Sequence, residues 1–235
     1  MDSGGAVLSV RGLTRRFGKL EAVAGIDFDV ARGEVVALLG PNGAGKTTTL
    51  TCIGGLLAPN AGTITVAGDR ERAARERRVA YVPEVPVVYD DLTPAEHLAF
   101  VAAGRRIDDA DTAVDRALER TGLSEVRDRP AGTLSKGNRQ RLCLAGVLLA
   151  RADVVLLDEP TTGLDPAAQH ALIGLVRELA AGGAGVVLST HALATAFEAA
   201  DRIAVLVAGR IVLDEPAARF ADLEALRAAY LHVAA

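Results

Sequence analysis

Residues 34–47, Glu34-Val35-Val36-Ala37-Leu38-Leu39-Gly40-Pro41-Asn42-Gly43-Ala44-Gly45-Lys46-Thr47, constrain the fold more than any other part of the chain. The apolar run after Glu34 has no polar face, so a strand there has to be covered on both sides, as in a parallel sheet. It runs directly into the pattern G-x-x-x-x-G-K-[ST], spelled here from Gly40 to Thr47. A loop that wraps a triphosphate must aim successive backbone N–H groups at phosphate oxygens, in conformations that glycine tolerates best. A helix from about Gly45 to Ile53, closed by Gly54-Gly55, would turn its positive end toward the same anions. Lys46 supplies a mobile charge for the β- and γ-phosphates, and the Thr47 hydroxyl suits Mg²⁺. Gly40, Pro41, Asn42, Gly43, Ala44, Gly45, Lys46, Thr47 and Thr48 are therefore the candidate triphosphate contacts.

The rest of the chain alternates in character. Val7 to Val10, Glu21 to Val23, Ile26 to Val30, Thr63 to Val66 and Val79 to Val82 read as short strands. A helical block follows. Thr93-Pro94-Ala95-Glu96 is a capped helix start, Ala110 to Arg120 is amphipathic, and Asn138 to Leu149 is a third helix. Strands at Val154 to Leu157, Val186 to Ser189 and Ile203 to Val207 then alternate with helices around Ala167 to Ala180 and Leu193 to Ala199. That alternation predicts a parallel α/β sheet. The mixed charges from Asp69 to Arg78 read as a solvated face, and Phe220 to Leu231 as a terminal helix packed on its own domain.

Length and composition narrow the class. At 235 residues the chain fits one or one-and-a-half domains. Only 3% of residues are aromatic, so Ala, Val, Leu and Ile have to build the core. A formal net charge of -4 argues against a nucleic-acid binder, which needs a basic face. The opening Met1-Asp2-Ser3-Gly4-Gly5 lacks the pattern of a secretory leader, and no apolar run approaches the ~20 residues of a membrane span. Cys52 and Cys143 have neither metal spacing nor a secreted context, and read as small buried hydrophobes in a cytosolic protein.

Two strand ends carry chemistry. Val154-Val155-Leu156-Leu157 delivers Asp158 and Glu159 to the carboxyl edge of the sheet, where α/β proteins bind ligands. Asp158 suits the Mg²⁺ shell, directly or through a water. Glu159 suits an attacking water, as base or as orienting acceptor. His191 follows Val186-Val187-Leu188-Ser189-Thr190 and gains weight only from what precedes it.

Leu134-Ser135-Lys136-Gly137-Asn138-Arg139-Gln140-Arg141, between the phosphate loop and the Asp158 strand, resembles the Leu-Ser-Gly-Gly-Gln signature of the ABC ATPases. With it, the order of motifs is similar to that family over nearly the whole chain. The resemblance implies a P-loop NTPase core with a parallel sheet, an N-terminal antiparallel β layer and an inserted helical subdomain. The implied division is core and layer at 1–92 and 151–215, helical subdomain at 93–150 and helical tail at 216–235. It also implies that Phe17 stacks on adenine, that Thr162-Gly163-Leu164-Asp165 is the D-loop, and that His191 contacts the γ-phosphate. Ser135, Lys136 and Gly137 would close over ATP held by a second ATPase subunit in a head-to-tail dimer.

Glu84, in Tyr81-Val82-Pro83-Glu84, departs from the glutamine that the family carries there to reach Mg²⁺ and the permease. It still offers an oxygen to the metal, but brings negative charge near the γ-phosphate. Glu84 with the Lys136-type signature resembles ABC-2-type bacterial export subunits. The implied function is Mg-dependent ATP hydrolysis coupled to export, at the cytoplasmic face of the membrane through permease subunits. The alternatives are an ABC-type ATPase acting on ribosomes or nucleic acid, and a slow regulatory ATPase.

Overall fold

A computed structural model describes residues 5–234; Met1 to Gly4, on which most of the leader reading rests, and Ala235 lie outside the described residues. In chain order the elements are β1 (Ala6–Phe17), β2 (Leu20–Ala31), β3 (Val35–Leu39), α1 (Lys46–Ile53), β4 (Ala61–Val66), α2 (Arg72–Arg78) and β5 (Val79–Val82). Then come α3 (Pro94–Arg105), α4 (Ala110–Arg120), α5 (Lys136–Ala150), β6 (Val154–Asp158), α6 (Pro166–Ala181) and β7 (Gly185–Thr190). The chain ends with α7 (Leu193–Ala199), β8 (Arg202–Val207), β9 (Arg210–Pro216) and α8 (Leu223–Ala234). They form two compact units, one of residues up to 81, 152–160 and 173–234, the other of 82–151 and 161–172.

The first unit contains two sheets. The larger has the order β5-β6-β7-β3-β8-β9. In it β6, β7, β3 and β8 run parallel, with Val35 to Leu39 opposite Val186 to Thr190 and Asp158 opposite Ser189. All residues of β3, β6 and β7 are buried, which explains their unbroken apolar runs. This register brings the carboxyl ends of β3, β6 and β7 to one edge. The smaller sheet, β2-β1-β4, is antiparallel, and its inner residues Leu8, Val10, Leu13, Val23, Ile26, Phe28 and Val30 share one apolar cluster with the parallel strands.

Two strands are longer than their sequence suggests. The runs Glu21–Val23 and Ile26–Val30 belong to one strand, and the first strand extends to Phe17. Their pairing shifts register between Val10 and Leu13 and again between Leu13 and Thr14. Gly12 and Gly25, both at positive φ, absorb the irregularity, so a glycine that looks like a break is a bulge. Two elements were not expected. The charged segment before Val79 contains the seven-residue α2, and β9 pairs antiparallel with β8 along the sheet edge. The terminal helix begins at Leu223, with Phe220 buried just ahead of it.

Arg202 on β8 ties the two sheets together. Its guanidinium meets Glu34 at 2.8 Å and Asp214 at 2.7 Å and also donates to the carbonyl of Asp29 on β2. Asp153, just before β6, likewise holds Arg32 at 2.6 Å and Arg78 at 2.9 Å.

The second unit is helical. Its core is Leu98 and Ala102 of α3, Val114, Ala117 and Leu118 of α4, and Leu142, Ala145 and Leu149 of α5, joined by Leu123 and Leu134. The expected capping box at Thr93 is present: its hydroxyl accepts from the Glu96 N–H at 3.2 Å, and the Glu96 carboxylate accepts from the Thr93 N–H at 2.8 Å. Among the described residues no helix is long and apolar enough to cross a membrane. Cys52 is buried, while Cys143 is only half-buried and donates to the Val87 carbonyl at 3.8 Å. Burial pushes both thiols up to about 11.

Candidate active site

The phosphate loop leaves β3 at Gly40, whose N–H donates to the Thr190 carbonyl of the neighbouring strand at 3.2 Å. Helix α1 starts at Lys46, one residue later than the spacing suggests, because Gly45 is its N-cap at φ 106°. A side chain at Gly45 could not exist: its Cβ would lie 2.2 Å from the Ala22 carbonyl oxygen. The cap has no side chain to satisfy the first turn, so the N–H groups of Lys46, Thr47 and Thr48 have no intrahelical acceptor and face an incoming anion. Pro41, Asn42 and Gly43 are exposed, as is Thr47, whereas Ala44 is buried beneath the loop.

Lys46 is itself buried, with 6% of its surface exposed. Its ammonium donates to the carbonyls of Gly40 at 2.8 Å and Pro41 at 3.2 Å, and lies 3.2 Å from Glu159 Oε1. That last approach is an ion pair without hydrogen-bond geometry, so Oε1 is a buried acceptor with no donor. The other oxygen, Oε2, lies 2.9 Å from His191 Nδ1. An imidazole nitrogen that close to a carboxylate carries the hydrogen, which leaves Nε2 as the ring's outward-facing nitrogen. The His191 side chain is half-exposed, as a group that meets a ligand has to be.

The backbone at Glu159 is bent to make this possible. Its φ of 45° is uncommon for a residue with a side chain, and is held by the Glu159 N–H donating to both the carbonyl and the hydroxyl of Ser189, at 3.1 and 3.0 Å. Ser189 in turn donates to Asp158 Oδ1 at 2.5 Å, and Tyr81 donates to Asp158 Oδ2 at 3.2 Å. Burial and the Asp158 charge drive the Tyr81 phenol upward, so it stays a donor. Both of Asp158's oxygens are thus fixed. Ser189 and Tyr81 are the residues that sequence reading passed over.

Gly40 to Thr48, Asp158, Glu159 and His191 therefore come together in the first unit. Phe17, at the end of β1 in the same unit, is 46% exposed, with the Arg15 guanidinium 4.7 Å from its ring centre. The remaining candidates lie in the helical unit. Ser135 caps the fifteen-residue α5, accepting from the Asn138 N–H at 3.3 Å, and is exposed together with Lys136. Gly137 packs against Leu164, and the Lys136 ammonium lies over Gly163. Asp165 caps α6 through the Ala168 N–H at 2.9 Å. Glu84 stands exposed in the bend after β5.

Among the described residues no three His, Cys, Asp or Glu side chains are placed to hold a metal ion by themselves. Mg²⁺ does not need such a cage. It is held by one or two protein oxygens together with substrate phosphates and water, and Thr47 with Asp158 fits that pattern, beside a Glu159 oxygen still lacking a donor.

Comparison with known proteins agrees with this geometry. The ABC transporter family matches residues 23–162. The chain is 36% identical to the SkfA peptide export ATP-binding protein SkfE of Bacillus subtilis, over 88% of each protein. It is 40% identical to the Nod factor export ATP-binding protein I of Burkholderia lata, over 89% of this chain and 70% of that one. The solved ATP-binding subunit of an ABC transporter superposes with a TM-score of 0.87 at 34% identity, covering 96% of this chain and 99% of its own.

Proposed function

This chain belongs to the ABC transporter family as one of its ATP-binding, ATP-hydrolysing subunits, and from that premise we propose that it powers export through permease subunits seated on its helical unit. The observation that carries the proposal is an apolar strip exposed where a soluble monomer has no use for one. Val85, Val87, Tyr89 and Phe100 are 73%, 72%, 55% and 59% exposed, on the segment beside Glu84 and on α3. Tyr89 and Phe100 meet edge to face at 5.5 Å, making one surface. Contiguous exposed apolar area of this kind marks an interaction site. A short permease helix lying between the Glu84 segment and α3 is the occupant this reading implies, and it would hold the chain at the cytoplasmic face of the membrane. The export-type relatives supply the direction.

The roles of the site residues follow from their chemistry. The N–H groups from Gly43 to Thr48 and the Lys46 ammonium hold the triphosphate; phosphate oxygens replace the loop carbonyls that Lys46 now engages. Thr47 and Asp158 would hold Mg²⁺, which would neutralise charge on the phosphates. Glu159 takes or orients the proton of the attacking water, and His191, fixed through Nδ1, offers Nε2 to the γ-phosphate. Ser135, Lys136 and Gly137 at the open end of α5, with Asp165, contact ATP or the facing loop of a second subunit in a head-to-tail dimer.

Affinity purification from solubilised native membranes tests the reading. The expected product is a complex with a multi-span membrane protein, lost on Phe100→Asp or Val87→Asp while ATP binding persists. Recovery only in the soluble fraction, with ribosomes or nucleic acid attached, would overturn the transporter assignment and leave the ATPase standing.

A further inference from the structure

We propose that Arg15 is a positioning residue for the nucleotide base, acting through Phe17; the inference rests on the reading of Phe17 as the adenine-stacking side chain. Residues 15 and 17 point to the same side of β1, since side chains alternate along a strand. The Arg15 guanidinium carbon lies 4.7 Å from the Phe17 ring centre, within cation–π range. The same guanidinium donates through Nη1 to the Ala58 carbonyl at 2.8 Å. Ala58 belongs to the loop after α1, which is itself laced to β1: the Asn60 N–H donates to the Thr14 carbonyl at 2.8 Å, and the Arg16 N–H to Asn60 Oδ1 at 2.8 Å. Arg15 is therefore not a free surface cation. Its head is held by the loop and its planar face by the ring.

The consequence is a ring with one covered face and one open face. An exposed phenylalanine at a hairpin end samples several rotamers, and a ligand that needs one of them bears the entropy of selecting it. Arg15 selects in advance. It also pairs cation, ring and base in one stack, so adenine adds to an aromatic already oriented. Nothing in this arrangement requires Arg15 to touch phosphate. That separates it from the other basic groups of the site, which act on charge.

The experiment measures binding of ATP and of inorganic tripolyphosphate to the full chain and to Arg15→Ala, Phe17→Ala and the double variant. The expected result is ATP affinity weakened about threefold to fivefold by Arg15→Ala, the size of an exposed cation–π contact. Tripolyphosphate affinity should be unchanged, and Arg15→Ala should add nothing once Phe17 is gone. A fold defect would move both ligands, so the tripolyphosphate control separates positioning from structure. Equal loss for both ligands, or additive effects in the double variant, would overturn the role of Arg15 while leaving that of Phe17. Phe17→Ala without effect on ATP would remove the base-stacking reading, and the inference with it.

Discussion

Glu159 lies between two cationic or proton-bearing groups, Lys46 at 3.2 Å and His191 at 2.9 Å, on a backbone turned into the left-handed region. Of its two oxygens, Oε1 is the one without a hydrogen-bond donor. Glu159→Gln keeps the shape and removes the basicity. ATP binding should persist, and turnover should fall by about 100-fold or more, with an ATP-bound dimer accumulating on size-exclusion chromatography. Wild-type turnover would remove Glu159 from this role. Ser189 is the second residue to probe, because one hydroxyl serves both the Asp158 carboxylate and the strained Glu159 N–H. Ser189→Ala should cost about 1–3 kcal/mol in urea unfolding, the penalty for buried polar groups left unpaired. The charged members of the site were legible in the sequence because Asp158 and Glu159 end an apolar run, His191 follows a strand and Lys46 sits in a glycine-rich phosphate loop. Ser189 and Tyr81 were not, since their value comes from the β6–β7 register and the packing of β5, which no local pattern states.

At the scale of elements, the contact between the antiparallel layer and the parallel sheet depends on a missing side chain. A Cβ on Gly185, the first residue of β7, would lie 2.4 Å from Val7 Cγ1 and 3.1 Å from the Ala31 carbonyl oxygen. Gly185→Ala should therefore destabilise the chain by about 1–3 kcal/mol, as overpacking does. Val7→Ala should recover part of that loss in the double variant, because its methyl is the closer obstacle. An additive double variant would place the strain elsewhere. The strands of the parallel sheet could be read from their apolar runs and the helical block from its caps. The bulged β1 and β2 could not be read as single strands, because Gly12 and Gly25 interrupt the alternation that a strand is recognised by. Helix α2 was hidden for another reason: a segment dominated by arginine and glutamate has no apolar face to show, and only Arg75 is buried.

The whole molecule carries titrating groups that respond to different ranges of acid. In the helical unit His97 is buried beside Tyr89, with Nδ1 unbonded, and burial holds its pKa below the ordinary 6.5. The unfolded chain takes up a proton there more readily than the folded one. Stability from this group is complete above about pH 6.5 and falls as pH drops from there through the folded pKa. In the first unit Asp153 behaves as a carboxylate: burial opposes ionisation, but hydrogen bonds from Arg32 and Arg78 win and hold its pKa below the ordinary 3.8. Its contribution is present above the unfolded value and is lost as pH falls below about 4. Acid should thus weaken the chain in two stages. The urea midpoint should decline between pH 7 and pH 5 in the parent but much less in His97→Leu, and decline again below about pH 4 in both. Asp153→Asn, weaker than the parent at pH 7, should lessen the second decline, which Asp29 and Glu96 share, and leave the first. A His97→Leu chain that still lost stability between pH 7 and pH 5 would assign the mild-acid stage to another group.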